Sequence, residues 1–321
     1  MSQTQSIQFK KQFLCPRYWG IWLGVGLLRL LSLLPYQTKF RLGRGLGRAM
    51  YWFAASRRKL ARQNILQAFP DLSDTELEVL LKTHFASLGI SLMETAIVWW
   101  GDYRKHPKNG FERGLVRYDG LENFEQAQAR GKGVLILAPH FTTLEMTGLF
   151  VSFLTHFNAI YRPHDNPLMD YLIAKGRSIP LADGRSVHPI ANHNTRGMLK
   201  VLRNGESMTI LPDQRYRARG HVKVSFFGHM TRSNPATSKL AKLTDCAVVP
   251  CLTERTTDNR YIVTFLPALE NFPSDSVEQD TLRLHAIYEQ AIKNNPTQYL
   301  WVHNRWDLKL NRKGEIISRK P

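Results

Sequence analysis

The chain has 321 residues, a mass of 37.0 kDa and a hydrophobic content of 43%, which supplies a full apolar core and excludes a largely disordered protein. Lysine and arginine exceed aspartate and glutamate by 44 − 26 = 18, which predicts an acidic partner: an anionic lipid surface, an acidic protein or a nucleic acid. Three scattered cysteines favour neither a disulfide framework nor a CxxC zinc site, so a reduced cytosolic compartment fits best.

Residues 1–70 form a basic segment that contains no aspartate or glutamate. Such an uneven distribution of charge indicates a segment with its own role, most simply contact with an anionic surface. We therefore predict two parts, a membrane anchor and interfacial segment over 1–70 and a domain that carries the chemistry over 71–321.

Residues 18–34 are almost entirely apolar and predict an N-terminal hydrophobic helix. At about 1.5 Å per residue this helix would be roughly 25 Å long, slightly short of the roughly 30 Å hydrocarbon core of a bilayer. No small-residue cleavage site follows it, which favours an uncleaved membrane anchor over a signal peptide. A buried helix of a soluble core is the alternative, although Trp19, Trp22 and the basic flank after the run favour an interface. The excess of Lys and Arg after the run places the bulk of the protein on the cytoplasmic side.

Beyond residue 71 the sequence alternates between helical and strand patterns. A long helix is predicted near 71–100 because a Ser73-Asp74 cap precedes regularly spaced apolar residues. Short apolar runs predict strands at 134–138, 159–161, 208–211, 247–252 and 261–266, and helical stretches lie at 142–154, 166–175 and 238–244. This order predicts an α/β fold with a mainly parallel or mixed central sheet flanked by helices on both faces.

His140 directly follows a buried strand that ends in Pro139, at the edge of the sheet where ligands bind in open α/β folds. Glu145 begins the next helix, and a turn that returns its carboxylate to the imidazole would form a charge pair. A histidine held by a carboxylate has a fixed tautomer and serves as general base for a hydroxyl nucleophile. An alternative is a capping box, Thr142-x-x-Glu145, in which the glutamate only satisfies a backbone N–H.

The chain contains no GxSxG nucleophile elbow, and neither Cys246 nor Cys251 has the sequence context of a nucleophile. Direct attack by a substrate hydroxyl is therefore favoured over a covalent enzyme intermediate.

Further candidates for the site follow the other predicted strands. Arg162 comes after the second strand and Arg177 ends the helix behind it, and guanidinium groups bind phosphate oxygens bidentately. Asp213 and Gln214 follow the third strand and are predicted to bind substrate. For the arginines, a solvated loop is the alternative interpretation.

Six motifs occur in a recognisable order. They are APHFTTLE (138–145), YRPHDNPLMDY (161–171), LPDQ (211–214), FFGHMT (226–231), VVP (248–250) and PTQYLWVHNRW (296–306). Together with the basic apolar N-terminus, they resemble the late acyltransferases of lipid A biosynthesis, the lauroyl- and myristoyl-type enzymes of Gram-negative bacteria. The motifs HFTTLE and YRPHDNPL look most similar to the lauroyl-type branch.

The resemblance implies transfer of a fatty acyl chain from acyl-acyl carrier protein to a hydroxyl of an acyl chain on a Kdo-bearing lipid A precursor. The reaction would occur at the cytoplasmic face of the inner membrane, on a fold like that of glycerolipid acyltransferases, without a metal or nucleotide cofactor. The partners would be acyl carrier protein, the lipid A precursor and inner-membrane lipids. His140 and Glu145 match the catalytic pair of the family, and Arg162 and Arg177 match its basic substrate-side positions. Arg215 departs from the pattern of the family, because relatives often have an acidic residue at this position.

Two other functions remain open. A glycerophospholipid acyltransferase of the lysophospholipid type uses a similar histidine and acid on a smaller phosphorylated acceptor. A basic membrane-attached nucleic-acid-binding protein is much less favoured, because the chain has no RNP1, C2H2 or zinc-knuckle pattern. We therefore expect no nucleic-acid partner.

Overall fold

The computed structural model describes residues 8–101, 114–178 and 187–319 of the chain. The α-helices are α1 (Trp19–Leu31), α2 (Tyr36–Phe53), α3 (Ala55–Ala68), α4 (Asp74–Trp100), α5 (Leu121–Ala129), α6 (Leu144–Leu154), α7 (Pro167–Arg177), α8 (Thr195–Arg203), α9 (Ala236–Thr244) and α10 (Val277–Asn294). The strands are β1 (Val116–Asp119), β2 (Val134–Leu137), β3 (Phe157–Tyr161), β4 (Val187–Ala191), β5 (Ser207–Ile210), β6 (Val222–Phe226), β7 (His229–Ser233), β8 (Ala247–Arg255), β9 (Tyr261–Phe265), β10 (Leu308–Leu310) and β11 (Ile316–Arg319).

Seven of these strands form a mixed central sheet in the order β1-β9-β8-β2-β5-β3-β4. All neighbouring strands run parallel except β8 and β9, which are antiparallel. Along β2, Val134 and Ile136 enter one hydrophobic core and Leu135 and Leu137 enter the other, so the sheet is covered on both faces. The predicted α/β fold with a mixed sheet flanked by helices is confirmed.

The long helix predicted near 71–100 is also confirmed, as α4. Its N-terminus is a capping box in which the Ser73 hydroxyl accepts from the Glu76 N–H at 3.3 Å and the Glu76 carboxylate accepts from the Ser73 N–H at 2.9 Å. This reciprocal pairing satisfies backbone donors that a helix start otherwise leaves open.

The hydrophobic helix predicted over 18–34 is shorter than expected. α1 has 13 residues and ends before Ser32, and Pro35 caps the start of α2. At about 1.5 Å per residue, α1 is about 20 Å long. Within 8–101, 114–178 and 187–319, no helix is both long enough and apolar enough to cross a membrane. The expectation of a spanning helix over 18–34 is therefore not met. The alternative of a buried core helix is not met either, because no residue of α1 is fully buried.

Helix α2 crosses α4 at a point where both helices carry glycine. Gly43 and Gly47 of α2 face Gly89 of α4, and a Cβ added at Gly43 would stand 2.8 Å from the Cα of Ile90. Only glycine permits this close approach, which attaches the basic segment to the rest of the chain. The division into 1–70 and 71–321 stays a prediction.

Replacing Gly47 by alanine is expected to lower the melting temperature, although alanine normally stabilises a helix by about 1 kcal/mol relative to glycine. The added methyl group would collide with the backbone of Phe85 and Ala86, and overpacking of this kind costs about 1–3 kcal/mol. Gly45→Ala on the same helix is the matched control, because nothing lies within 4 Å of its added Cβ. Thermal unfolding of both variants checks the prediction. An equal change in melting temperature for Gly47→Ala and Gly45→Ala would show that the crossing does not require glycine.

Candidate active site

The imidazole of His140 is held by a buried carboxylate. The Nδ1 of His140 lies 2.6 Å from Oδ1 of Asp213, and the backbone N–H of His140 donates to Oδ2 of the same carboxylate at 2.9 Å. Because a carboxylate accepts, Nδ1 carries the proton and Nε2 is the basic nitrogen. The side chain of His140 is 19% exposed and that of Asp213 is fully buried, so only the histidine can reach a substrate.

The sheet topology explains why these two residues meet, although 73 positions separate them. β2 and β5 are parallel neighbours, with Leu137 opposite Ile210 at their carboxyl ends. His140 and Asp213 each lie three residues beyond these paired positions, so the two loops leave the same edge of the sheet side by side.

Asp213 lies in a buried polar cluster with Tyr299 and Arg305. Burial alone would raise the pKa of Asp213, but the charge of His140, the two hydrogen bonds from His140 and the charge of Arg305 hold that pKa below its ordinary value. Burial together with the negative charge of Asp213 raises the pKa of Tyr299 well above its usual range. The carboxylate is therefore ionised and fixed in place.

Glu145 is paired with Arg177. The guanidinium Nε of Arg177 donates to Oε1 and Oε2 of Glu145 at 3.2 and 3.3 Å, and its NH2 group also contacts Oε1. Burial opposes the charge of Arg177, but the attraction of Glu145 outweighs it and raises the pKa of Arg177. Glu145 is in the first turn of α6 and Arg177 ends α7, so the pair joins two neighbouring helices at the mouth of the site.

These contacts correct two sequence-based predictions. The expected His140–Glu145 charge pair is not the pairing found, because among the described contacts His140 binds Asp213 and Glu145 binds Arg177. The capping-box alternative is wrong too, since the Thr142 hydroxyl bonds to Ser87 at 2.7 Å and the Thr142 N–H donates to a backbone carbonyl. Asp213, predicted to bind substrate, is instead buried behind His140, because the strand order brings its loop against the histidine.

The remaining predicted residues lie nearer the surface. Arg162 follows β3, its side chain is 76% exposed, and it pairs with Asp165 at 3.3 Å. Gln214 is half-buried next to Asp213. Arg215, the departure from the family pattern, is mostly buried and pairs with Asp307 at 2.6 Å, which ties the loop after β5 to the C-terminal region. The structure thus places Arg162 at the same edge of the sheet as His140, without a described contact between them.

Sequence reasoning missed a strap from the C-terminal region that holds the His140 loop. Phe141 and Tyr299 form an antiparallel bridge, the Thr142 N–H donates to the Gln298 carbonyl at 2.7 Å, and the Leu300 N–H donates to the His140 carbonyl at 3.0 Å. Arg305, 1% exposed, then donates to the hydroxyls of Thr231 and Ser233. The motif 296–306 contributes these residues, and its mixture of aromatic and polar side chains was the available signal.

Two buried histidines and a third that is partly buried predict a loss of stability in mild acid. Burial lowers the pKa of His84, His285 and His303 to about 4, from an ordinary value near 6.5. Between these values the unfolded chain takes up protons that the folded chain does not, so the free energy of unfolding falls as pH drops from about 6.5 towards 4. Denaturant unfolding at several pH values checks this, and His84→Gln should flatten the dependence. An unchanged slope in that variant would contradict the prediction.

Comparison with known proteins assigns the chain to a family. Residues 6–307 match the family model for bacterial lipid A biosynthesis acyltransferases. The lipid A biosynthesis lauroyltransferase of Escherichia coli (strain K12) is 32% identical over 309 residues, which are 94% of this chain and 96% of that protein. The palmitoleoyltransferase of the same organism is 32% identical over 302 residues, covering 93% and 94% of the two chains. The lipid A biosynthesis myristoyltransferase of the same organism is 26% identical over 317 residues, which are 98% of this chain and 94% of that protein.

One solved structure, a 1-acyl-sn-glycerophosphate (LPA) acyltransferase, PlsC, from Thermotoga maritima, aligns with 78% of this chain and 97% of its own. Its TM-score is 0.37 and its identity 13%, too low to support an argument from shape. The extended sequence matches, in contrast, span the site: His140, Glu145, Arg177, Asp213 and the strap all lie within the matched residues. The chain therefore belongs to the bacterial lipid A biosynthesis acyltransferase family and is an O-acyltransferase.

Proposed function

We propose that this enzyme transfers a fatty acyl chain from acyl-acyl carrier protein to a hydroxyl of an acyl chain on a Kdo-bearing lipid A precursor, with His140 as general base. The observation that carries the proposal is the Asp213–His140 pair, which leaves Nε2 as a base beside the entrance to the site. Family membership supports the class of acceptor.

The proposed step balances without a cofactor. Nε2 of His140 takes the proton of the acceptor hydroxyl while the oxygen attacks the thioester carbonyl carbon of the donor. The carbon–sulfur bond then breaks, and the imidazolium, stabilised by the ionised Asp213, returns the proton to the departing sulfur. The donor already carries the activated acyl group, so we propose no metal or nucleotide.

The Glu145–Arg177 pair, Arg162 and Gln214 complete the proposed site. Arg177 is already paired with Glu145, so we propose that the pair shapes the site. The outer edge of the Arg177 guanidinium would supply positive charge to a substrate. Arg162 is the better candidate for a phosphate, because its exposed guanidinium has only the exposed Asp165 as a described partner. Gln214 offers an amide beside the base for substrate hydrogen bonds.

The proposed partners are acidic. Acyl carrier protein and a phosphorylated lipid both carry negative charge, and the chain has a formal net charge of +18. This charge would speed the encounter with either substrate and with an anionic membrane surface. We propose that the enzyme works at the cytoplasmic face of the bacterial inner membrane.

Attachment to that membrane is proposed to occur through the exposed apolar side chains of α1 and α2. Trp19, Leu23, Leu27 and Leu30 recur along α1 at helical spacing, and each is more than half exposed. On α2, Trp52 and Phe53 are exposed as well, next to the arginines of that helix. An apolar face flanked by basic residues is typical of helices that lie in a membrane interface.

The double substitution Leu23→Ser with Leu27→Ser is expected to weaken binding to anionic vesicles by at least about tenfold. A leucine contributes about 1.5–3 kcal/mol when fully buried, and 1.4 kcal/mol corresponds to a factor of ten. Val79→Ser, which removes an exposed apolar side chain of α4, is the control. Vesicle co-sedimentation at low and high salt measures the effect. Equal binding by the double variant and the control would show that α1 does not contact the lipid.

The proposed function is tested by mass spectrometry of lipid A from cells with and without the gene, combined with transfer assays on the purified protein. A mass difference of one acyl chain, and transfer from acyl-acyl carrier protein to the Kdo-bearing precursor, are the expected results. Transfer to lysophosphatidic acid instead of the lipid A precursor would show a glycerophospholipid acyltransferase. Tight duplex DNA binding without any transfer would show a nucleic-acid-binding protein.

A further inference from the structure

A cavity opens beside the Glu145–Arg177 pair and extends into the core. It has an empty volume of about 730 Å³, counting the space at its mouth. Its walls are the apolar side chains of α6, α4 and β3, among them Val98, Leu149 and Phe157, together with the ends of β2 and β5. Ala138, two residues before His140, lines the cavity as well, so its mouth adjoins the proposed base.

The cavity runs along α6, away from His140. Its lining on this helix extends from Glu145 in the first turn to Ser152 near the C-terminal end, about 10 Å along the axis at about 1.5 Å per residue. The two hydroxyls that α6 contributes to the lining are already bonded within the helix region, since Thr147 donates to the Thr143 carbonyl and Ser152 to the Leu149 carbonyl. An interior of this kind suits an unbranched hydrocarbon, which needs no hydrogen-bond partner.

Gly148 occupies the middle of this wall without a packing reason for glycine. A Cβ built there would meet only the Phe157 ring, at 3.9 Å. At Gly176 and Gly133, by contrast, an added Cβ would collide with Trp99 or with the backbone of Leu202. Glycine destabilises a helix interior relative to alanine, so Gly148 lowers the stability of α6 without relieving a collision. Its effect is to leave the middle of the cavity open.

We infer that this cavity holds the hydrocarbon tail of the acyl donor and that Gly148, by leaving the middle of the cavity clear, sets the longest chain the enzyme accepts. The inference rests on the proposed function. Both the thioester and the acceptor hydroxyl must lie at His140, where the cavity begins. We assign the cavity to the donor tail because that tail is a single unbranched chain leaving the thioester, whereas the acceptor chain stays attached to a phosphorylated headgroup that needs polar partners. A chain that enters at Ala138 passes Gly148, which lies opposite the Phe157 ring, before it reaches Ser152.

The experiment compares the wild-type enzyme with Gly148→Ala and Gly148→Val. Each is assayed for kcat/KM with acyl carrier protein charged with saturated chains of increasing length. Gly148→Val is expected to lower kcat/KM for the longest donor that the wild type accepts by roughly 10- to 200-fold, the usual discrimination for a misfit of one methylene. The value for the shortest donors should stay the same, and Gly148→Ala should give a smaller shift in the same direction.

Two controls separate cavity filling from other effects. Ala286→Val places the same branched side chain on an exposed position of α10, and its chain-length profile should match the wild type. Gly148→Ala should melt no lower than the wild type, because it removes a helical glycine without a collision. It therefore reports on chain length even if the valine variant folds poorly.

The outcomes are distinguishable. Wild-type enzyme that transfers no acyl chain would overturn the proposed function itself. Active wild type with an unchanged chain-length profile in both Gly148 variants, or with equal losses for all donors, would overturn the inference. If the Gly148 variants instead discriminated among acceptors with different acyl chains, while their preference among donors stayed that of the wild type, the cavity would hold an acceptor chain.

Discussion

His140→Ala is expected to lower kcat by about 10²–10⁴, the contribution of a positioned general base, with little change in fold. The side chain lies at the end of a loop and is partly exposed, so its removal leaves no large hole in the core. Steady-state transfer assays measure the loss, and circular dichroism with thermal unfolding checks that the variant is folded. Activity near that of the wild type in a folded His140→Ala protein would rule out the proposed base.

The second large effect is expected for Asp213→Asn, with a loss in kcat of up to about 10⁴, as found for the corresponding exchange in a serine protease triad. An amide fills the same volume, but it no longer fixes Nδ1 as the protonated nitrogen or stabilises the imidazolium. Because the imidazolium loses its anionic partner, the acid limb of the pH–rate profile should move to lower pH. A merely structural role for Asp213 would not move this limb.

Glu145→Gln is the matched comparison for Asp213→Asn. Both substitutions remove one negative charge near His140, yet only Asp213 is within hydrogen-bond distance of the imidazole in the described contacts. We expect the acid limb to stay in place for Glu145→Gln, whatever the loss in rate from disturbing Arg177. A shift with Glu145→Gln and none with Asp213→Asn would restore the His140–Glu145 pair predicted from the sequence.

The sequence by itself determined about half of the local structure, including the strands and helices that carry the candidate site. The strands at β2, β3, β5, β8 and β9 and the helices α4, α6, α7 and α9 were predicted within a few residues of their observed bounds. Strong apolar runs and a capping box mark them, and these signals act between residues close in the chain. Strands β1, β4, β6, β7, β10 and β11 and helices α2, α3, α5, α8 and α10 were not predicted, because their apolar patterns are shorter or interrupted by polar and charged residues.

The sequence also placed His140 at the edge of the sheet, since a histidine directly after a buried strand can lie nowhere else. Only the tertiary structure decided its partner. Glu145 is five residues away and Asp213 is 73 residues away, yet the parallel pairing of β2 and β5 brings the distant carboxylate to Nδ1, while Arg177 binds the near one. Strand order depends on the packing of the whole sheet, and no local pattern records it. The same holds for the cavity behind Glu145, whose walls come from helices and strands that meet only in the folded chain.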